Sequence, residues 1–252
     1  MLLAGNYLVA SLIAFILLML NEEKNFSFEI FLFGAGLGLF FVLSFFAYAK
    51  AINYAGTGLA TTSSRLSVII PIILSIIIYK ELPSKLHLVG FVFTLITLIL
   101  FYFAMKQNHR EGEGIFKYLF LLAVFAGIGI NDFAMKVFNS WRHPAETPFF
   151  VFVIFSSALF YSSFYIIIKK IKISMHTALW GVALGVPNVL STIFLLSALT
   201  MLPAILVYPL MNVGIILLTT ILAFIFWKEK LNRWGILALL SGILAIIFLS
   251  VS

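Results

Sequence analysis

Long, continuously apolar runs alternate with short polar joints along the chain. A helix needs about 20 mostly apolar residues to cross the hydrocarbon core of a bilayer. Nine runs meet that length: 1–20, 30–53, 57–79, 86–105, 116–138, 147–169, 176–199, 203–227 and 233–251. The polar joints are Asn21–Glu29, Lys80–Lys85, Lys106–Ile115, Asn139–Glu146, Lys169–Ser174 and Lys228–Asn232. Two joints, near Tyr54–Gly56 and Thr200–Leu202, are tighter still. No joint has room for a soluble domain. The runs also lack the apolar–polar alternation of barrel strands. The pattern predicts an all-α integral membrane protein with nine transmembrane helices.

The same pattern holds a weak internal repeat. Runs 30–53, 57–79 and 86–105 resemble runs 176–199, 203–227 and 233–251. In each set two long helices meet at a very short turn, a Lys-Glu pair ends the second, and a last apolar helix follows. The pairs are Lys80-Glu81 and Lys228-Glu229; at the same offset Tyr79 meets Trp227 and Ser75 meets Ala223. Run 1–20 then matches 147–169, and 116–138 has no counterpart. The division is into a first repeat at 1–105 and a second at 116–252, four helices and five. Duplication gives five and five, so the expectation is that the first helix of the first repeat is missing. Units of five helices place the second copy upside down relative to the first, as in many secondary transporters.

Composition agrees. The chain of 252 residues is 63% apolar and 10% charged, against roughly 45–50% and about 25% in soluble domains. That excludes a soluble enzyme and a disordered chain. The net charge of +7 would favour nucleic acid in a soluble protein. In a membrane protein it belongs to the loops that set topology, and no nucleic-acid partner is expected. The absence of cysteine excludes disulfides, thiolate metal sites and cysteine nucleophiles. The first run begins without a basic region or a small-residue cleavage site, so no cleavable signal peptide is expected. Lys50 and the basic joints 106–117, 169–172 and 228–233 fall on one side; Lys24, Lys80, Lys85, Lys136 and Arg142 fall on the other. The positive-inside rule puts the first, larger set in the cytoplasm and the C-terminus outside.

The stretch from Gly58 to Glu81, GLATTSSRLSVIIPIILSIIIYKE, resembles the fourth helix of EamA-type transporters of the drug/metabolite transporter superfamily. Pro71 stands ten residues before the helix-ending Glu81, and Gly90 nine residues after it, as that family's pattern has them. The second copy keeps Glu229 but has Thr219 and Ala238 at the corresponding places. The resemblance implies ten helices in two inverted five-helix repeats, both termini in the cytoplasm, and a secondary transporter, often an exporter, of amino acids or similar solutes. On the termini it disagrees with the charge count. It also implies a multi-pass location in the cell membrane, inner or plasma.

Charges inside spans are costly, about 2.5–3.5 kcal/mol each on insertion scales, and such residues usually face a cavity or one another. Arg65, the chain's single aspartate Asp132, and Lys136 fall inside spans, and Lys50 lies nearer a helix end. Asp132 and Lys136, four residues apart, share a helix face, with Asn131 adjacent. They read either as an internal ion pair, or as a carboxylate that couples transport or contacts the solute, tuned by Lys136. Arg65, among Thr61, Thr62, Ser63, Ser64 and Ser67, reads either as structural, bonding hydroxyls, carbonyls or Asp132, or as a planar fork for a carboxylate or phosphate. Pro71, Pro187 and Pro209 interrupt helical hydrogen bonding, and Pro71 is expected to strip the Ser67 carbonyl of its partner. Each has a polar residue within a turn, Asn188 beside Pro187 and Tyr208 and Asn212 about Pro209. Broken helices of this kind line midplane sites in transporters, so the three prolines are candidate hinges. The candidate solute-binding set is Arg65, Asp132, Lys136, Asn131, Tyr48, Thr62, Ser64, Asn188, Tyr208 and Asn212. The Gly34–Gly38 and Gly181–Gly185 spacings predict close intramolecular helix packing.

His143 and Glu146 sit three apart in a joint, and His87, His109 and His176 lie in or beside joints, where they are expected to be solvated. There is no His-Glu-x-x-His, Gly-x-Ser-x-Gly or phosphate-binding loop. No metal, cofactor or enzymatic activity is expected. The function expected is secondary-active transport, export in direction, of a small metabolite such as an amino acid by alternating access. The partners are a small-molecule solute, the lipid bilayer and protons. The alternatives are a flippase for lipids or lipid-linked sugars and a non-transporting membrane scaffold.

Overall fold

The structure is a computed structural model that describes residues 2–22, 25–105, 115–170, 175–228 and 232–251. Lys24, His109, Lys172 and Glu229, with the rest of 106–114, lie outside the described residues. Among the described residues the chain forms α1 (Leu2–Leu20), α2 (Phe28–Leu66), α3 (Ile69–Tyr79), α4 (Lys85–Met105), α5 (Ile115–Trp141), α6 (Thr147–Ile168), α7 (Met175–Met201), α8 (Ala204–Trp227) and α9 (Arg233–Ser250), with a 3-10 turn at Pro144–Glu146. Among the described residues eight stretches are long and apolar enough to cross a membrane, so this is an all-helical, multi-pass membrane protein.

One of the eight, Phe28–Tyr79, is 52 residues long. Straight, it would measure about 78 Å, more than twice the roughly 30 Å hydrocarbon core. Gly56 divides it, with φ 81° and ψ 162°, a region essentially reserved to glycine. The Tyr48 and Thr61 hydroxyls hydrogen-bond at 3.0 Å across this point, whereas 13 residues of straight helix would span about 20 Å. Ala51 and Ala60, from either side of the bend, pack with Val124 of α5 in one buried cluster. The expected tight joint at Tyr54–Gly56 is this turn.

A second break, which the sequence pattern did not predict, divides the expected span 57–79. α2 ends at Leu66 and α3 starts at Ile69. The amides of Val68 and Ile70 bond to the carbonyls of Arg65 and Ser67, at 3.4 and 3.0 Å, a tighter i→i+3 pattern. Hydroxyls compete for the backbone on both sides of Arg65: Thr62 donates to the Gly58 carbonyl at 2.9 Å and Ser67 to the Ser64 carbonyl at 2.5 Å. Pro71 therefore stands in the first turn of α3, where its missing N–H costs nothing. The Ser67 carbonyl, expected to be orphaned, takes the Ile70 amide. At the far end Lys80 is left-handed, with φ 55°, and Lys228, which the expected repeat pairs with it, has φ 52°.

The chain divides into two compact units that each draw on both halves of the sequence. Unit 1 is Met1–Phe45 with Ala134–Met201. Glycines set its close approaches. A Cβ on Gly181 would stand 2.3 Å from the Leu2 carbonyl oxygen, and one on Gly185 would stand 2.7 Å from that of Asn6. A Cβ on Gly38 would meet Ser157 at 2.3 Å. Both glycine pairs thus serve packing within the chain, α1 on α7 and α2 on α6. Unit 2 is Phe46–Phe133 with Leu202–Ser252. In it α4 and α9 are joined by a Thr97–Ser241 hydroxyl bond of 3.1 Å, and Leu249 fills the place of a side chain at Gly90.

Candidate functional site

Unit 2 gathers most of the residues singled out in the sequence, on three elements. The end of α2 carries Arg65, because the hydroxyl-rich run before it breaks the helix there. α5 lies on that break: a Cβ on Gly129 would be 2.8 Å from the Ser67 carbonyl oxygen and 2.5 Å from Ile70. One turn further along α5 come Asn131, buried, and Asp132, half-buried. α8 supplies Tyr208 and Asn212.

Among the described residues the hydrogen-bond partner of the Arg65 guanidinium is Asn212, whose Oδ1 accepts from Nη1 at 3.4 Å. The Asn212 amide donates to the Tyr208 carbonyl at 3.1 Å, which turns its oxygen toward Arg65. The Tyr208 hydroxyl donates to the backbone carbonyl of Asp132, and the Tyr208 side chain is fully buried. Arg65 interacts electrostatically with both Asp132 and Tyr48. Arg65 and Asp132 are therefore close, but no ion pair within 4.0 Å joins them among the described residues. Arg65 offers five donors in a planar fork, and among the described residues a single long bond engages one of them. The Ser63 hydroxyl donates to the Leu121 carbonyl at 2.7 Å, holding the end of α2 on α5. Thr62 and Ser64 bond within their own helix, as described above.

Three expected residues fall in unit 1: Lys136, Pro187 and Asn188. Lys136 is buried. Pro187 is exposed. Asn188 donates to Asn6 at 2.9 Å, in the glycine seam between α7 and α1. His143 and Glu146 form a reciprocal cap: His143 Nδ1 accepts from the Ala145 amide at 3.3 Å, and the Glu146 carboxylate accepts from the His143 amide at 3.3 Å. His87, expected to be solvated, is buried at 7% exposure. Its Nδ1 accepts from the Ser84 amide at 3.2 Å, so the imidazole caps the start of α4 instead of facing water.

Sequence reasoning missed Glu81 as a contact and missed two cavities. One, of about 380 Å³ in unit 1, lies among Leu17, Asn21, Thr147, Val151, Leu196 and Thr200. The other, of about 160 Å³ in unit 2, is lined by Val68, Ile72, Phe91, Thr94, Leu95 and Pro209, one turn past the break. Neither follows from a one-dimensional pattern, because each is walled by three elements. Among the described residues no group of three or more His, Cys, Asp and Glu side chains is placed to hold a metal.

Comparisons with known proteins accord with this fold. An uncharacterized protein of Haemophilus influenzae is 29% identical over 221 residues, 84% of this chain and 74% of that protein. A solved structure, titled only as the crystal structure of a protein, superposes with a TM-score of 0.79 at 16% identity, over 99% of this chain and 88% of its own. That likeness shows the fold alone. Residues 1–103 match the model of the EamA-like transporter family. With that match the resemblance to EamA-type transporters of the drug/metabolite transporter superfamily, read from the sequence, stands over residues 1–103.

Proposed function

We propose that the chain is a secondary-active exporter of a small metabolite bearing an anionic group, such as an amino acid, in the cell membrane. Arg65 receives the solute's carboxylate. Asp132 takes its ammonium group, or a proton when the site is empty. Tyr48 and Asn212 orient the arginine. Transport proceeds by alternating access between two inverted repeats, 1–105 and 116–252, with the Gly56 turn separating two crossings. The match at 1–103 and the shared left-handed turn at Lys80 and Lys228 support the repeat division. The observation that carries the reading is Arg65, placed inside an apolar stretch beside the carboxylate-bearing Asp132, with one hydrogen bond of 3.4 Å to Asn212. A cation kept in such a place at a cost of several kcal/mol is characteristic of a solute pathway. The proposed solute contacts all lie in unit 2, and Lys136 has a role only as the next charge along α5.

The test is thermal stabilisation of the detergent-purified protein by amino acids, nucleosides, sugar phosphates and polyamines. A ligand at about 100 times its Kd adds about 2.7 kcal/mol to the folded state. The expected result is stabilisation by solutes bearing a carboxylate or phosphate, lost in Arg65→Ala while the unliganded melting temperature stays within a few degrees. No stabilisation across the panel would overturn the reading and turn attention to lipids as cargo.

A further inference from the structure

The first turn of a helix leaves its amides without partners inside the helix. In α8 the amides of Leu206 and Val207 turn to the Pro203 carbonyl, at 3.0 and 3.1 Å. The Ile205 amide instead takes the Glu81 carboxylate, at 3.0 Å. A carboxylate at this end of a helix is also favoured by the helix dipole. The bond matters more here than at most helix starts. Pro209 has no N–H, so the Ile205 carbonyl lacks the donor that the next turn would supply. The opening turn of α8 is thus weakly tied to its own helix and is held by Glu81.

Glu81 is itself fixed. The left-handed Lys80 ends α3, and the amides of both Lys80 and Glu81 bond to the Ser75 carbonyl, the latter at 3.4 Å. α3 begins just past the break that follows Arg65. One turn beyond Ile205, α8 presents Tyr208, which bonds to Asp132, and then Asn212, which bonds to Arg65. α8 is therefore tied on either side of α3, by Glu81–Ile205 just past its end and by Arg65–Asn212 at the end of α2. We infer that Glu81 is a positioning residue for the solute site: by pinning the start of α8 it sets the register of Tyr208 and Asn212 against Arg65 and Asp132. A slip of one helical turn moves a side chain about 5.4 Å, enough to separate Asn212 from Arg65. The inference rests on the reading of that cluster as the solute site.

Three variants isolate the acceptor oxygen. Glu81→Met keeps side-chain length without an acceptor. Glu81→Asp keeps the charge and withdraws it by one methylene. Glu81→Gln keeps an acceptor without the charge. Each is titrated with L-glutamate, L-leucine and L-lysine, and amide hydrogen exchange is followed over 204–212. In E81M, exchange at Ile205 and the following turn should rise about tenfold, and affinity for the amino acid that wild type binds should fall about tenfold. E81Q should stay near wild type in both. E81D carries the same expectation as E81M, should E81M fail to fold. Faster exchange with unchanged affinity, or unchanged exchange with binding intact, would overturn the positioning role alone. A wild type that binds none of the three overturns the amino-acid reading, and the positioning role with it.

Discussion

The two compact units bury polar groups for different ends. In unit 1 these side-chain amides are spent on each other and on backbone: Asn188 donates to Asn6 at 2.9 Å, and Asn139 to the Leu196 carbonyl at 3.5 Å. Small residues let the backbones close up around them, the usual way of gluing helices in lipid. Arg142 pairs with the exposed Glu29 and lies 3.8 Å over the Trp141 ring; Lys136 is a buried cation of this unit. Unit 2 carries Arg65 and Asp132 within its apolar stretches and, among the described residues, leaves the guanidinium with one long bond. Polar groups satisfied pairwise make a seam. A charge left partly satisfied makes a place for a ligand, because that arrangement costs stability unless something else completes it.

The comparison predicts graded effects. The largest belongs to the seam of unit 1. Gly181→Val drives a side chain into the Leu2 carbonyl, 2.3 Å from its Cβ, and backbone cannot yield as a flexible side chain does. The loss should be about 3 kcal/mol or more, read as little monodisperse protein on fluorescence-detected chromatography. Gly56→Ala in unit 2 should cost about 1–3 kcal/mol from the positive φ alone, since no atom stands within 4 Å of the added Cβ. Its melting point should fall while the protein stays folded. If Gly56→Ala and Gly181→Val proved equally disruptive, packing and conformation would not be separable in the way the two units imply. The smallest effect is expected from Asn188→Ala. Losing one interhelical hydrogen bond in lipid averages about 0.6 kcal/mol. Solute affinity should stay within about twofold, because the partner of Asn188 is Asn6. A large loss of affinity without a loss of stability would return Asn188 to the solute site.

The same contrast explains what the sequence revealed. Apolar runs, the Gly56 turn and the glycine seams were legible because each is a local property: length, a glycine at a short joint, small residues four apart. Arg65 and Asp132 were legible because a charge in an apolar run stands out. The partnership of Arg65 with Asn212 was not, as 147 residues separate them and no short-range rule links them. The break at Ser67–Val68 was hidden because Pro71 was the more conspicuous signal, while the serine and threonine hydroxyls that compete for the backbone look like ordinary small polar residues. His87 was misjudged from its polar neighbours Ser84 and Lys85; the fold turns it inward. Glu81 was seen as a helix end, and its bond to Ile205 appeared once α8 was in place.

The central claim is that the Arg65–Asp132 cluster of unit 2 is where the solute is carried. The most direct measurement is flux of the stabilising solute in proteoliposomes, wild type against Asp132→Asn, at matched protein reconstitution. Losing the charge from one side of a charge-assisted contact should slow flux by about 10–100-fold, with the melting temperature held and the protein still inserted. Flux equal to wild type in Asp132→Asn would remove Asp132 from the mechanism and contradict the claim.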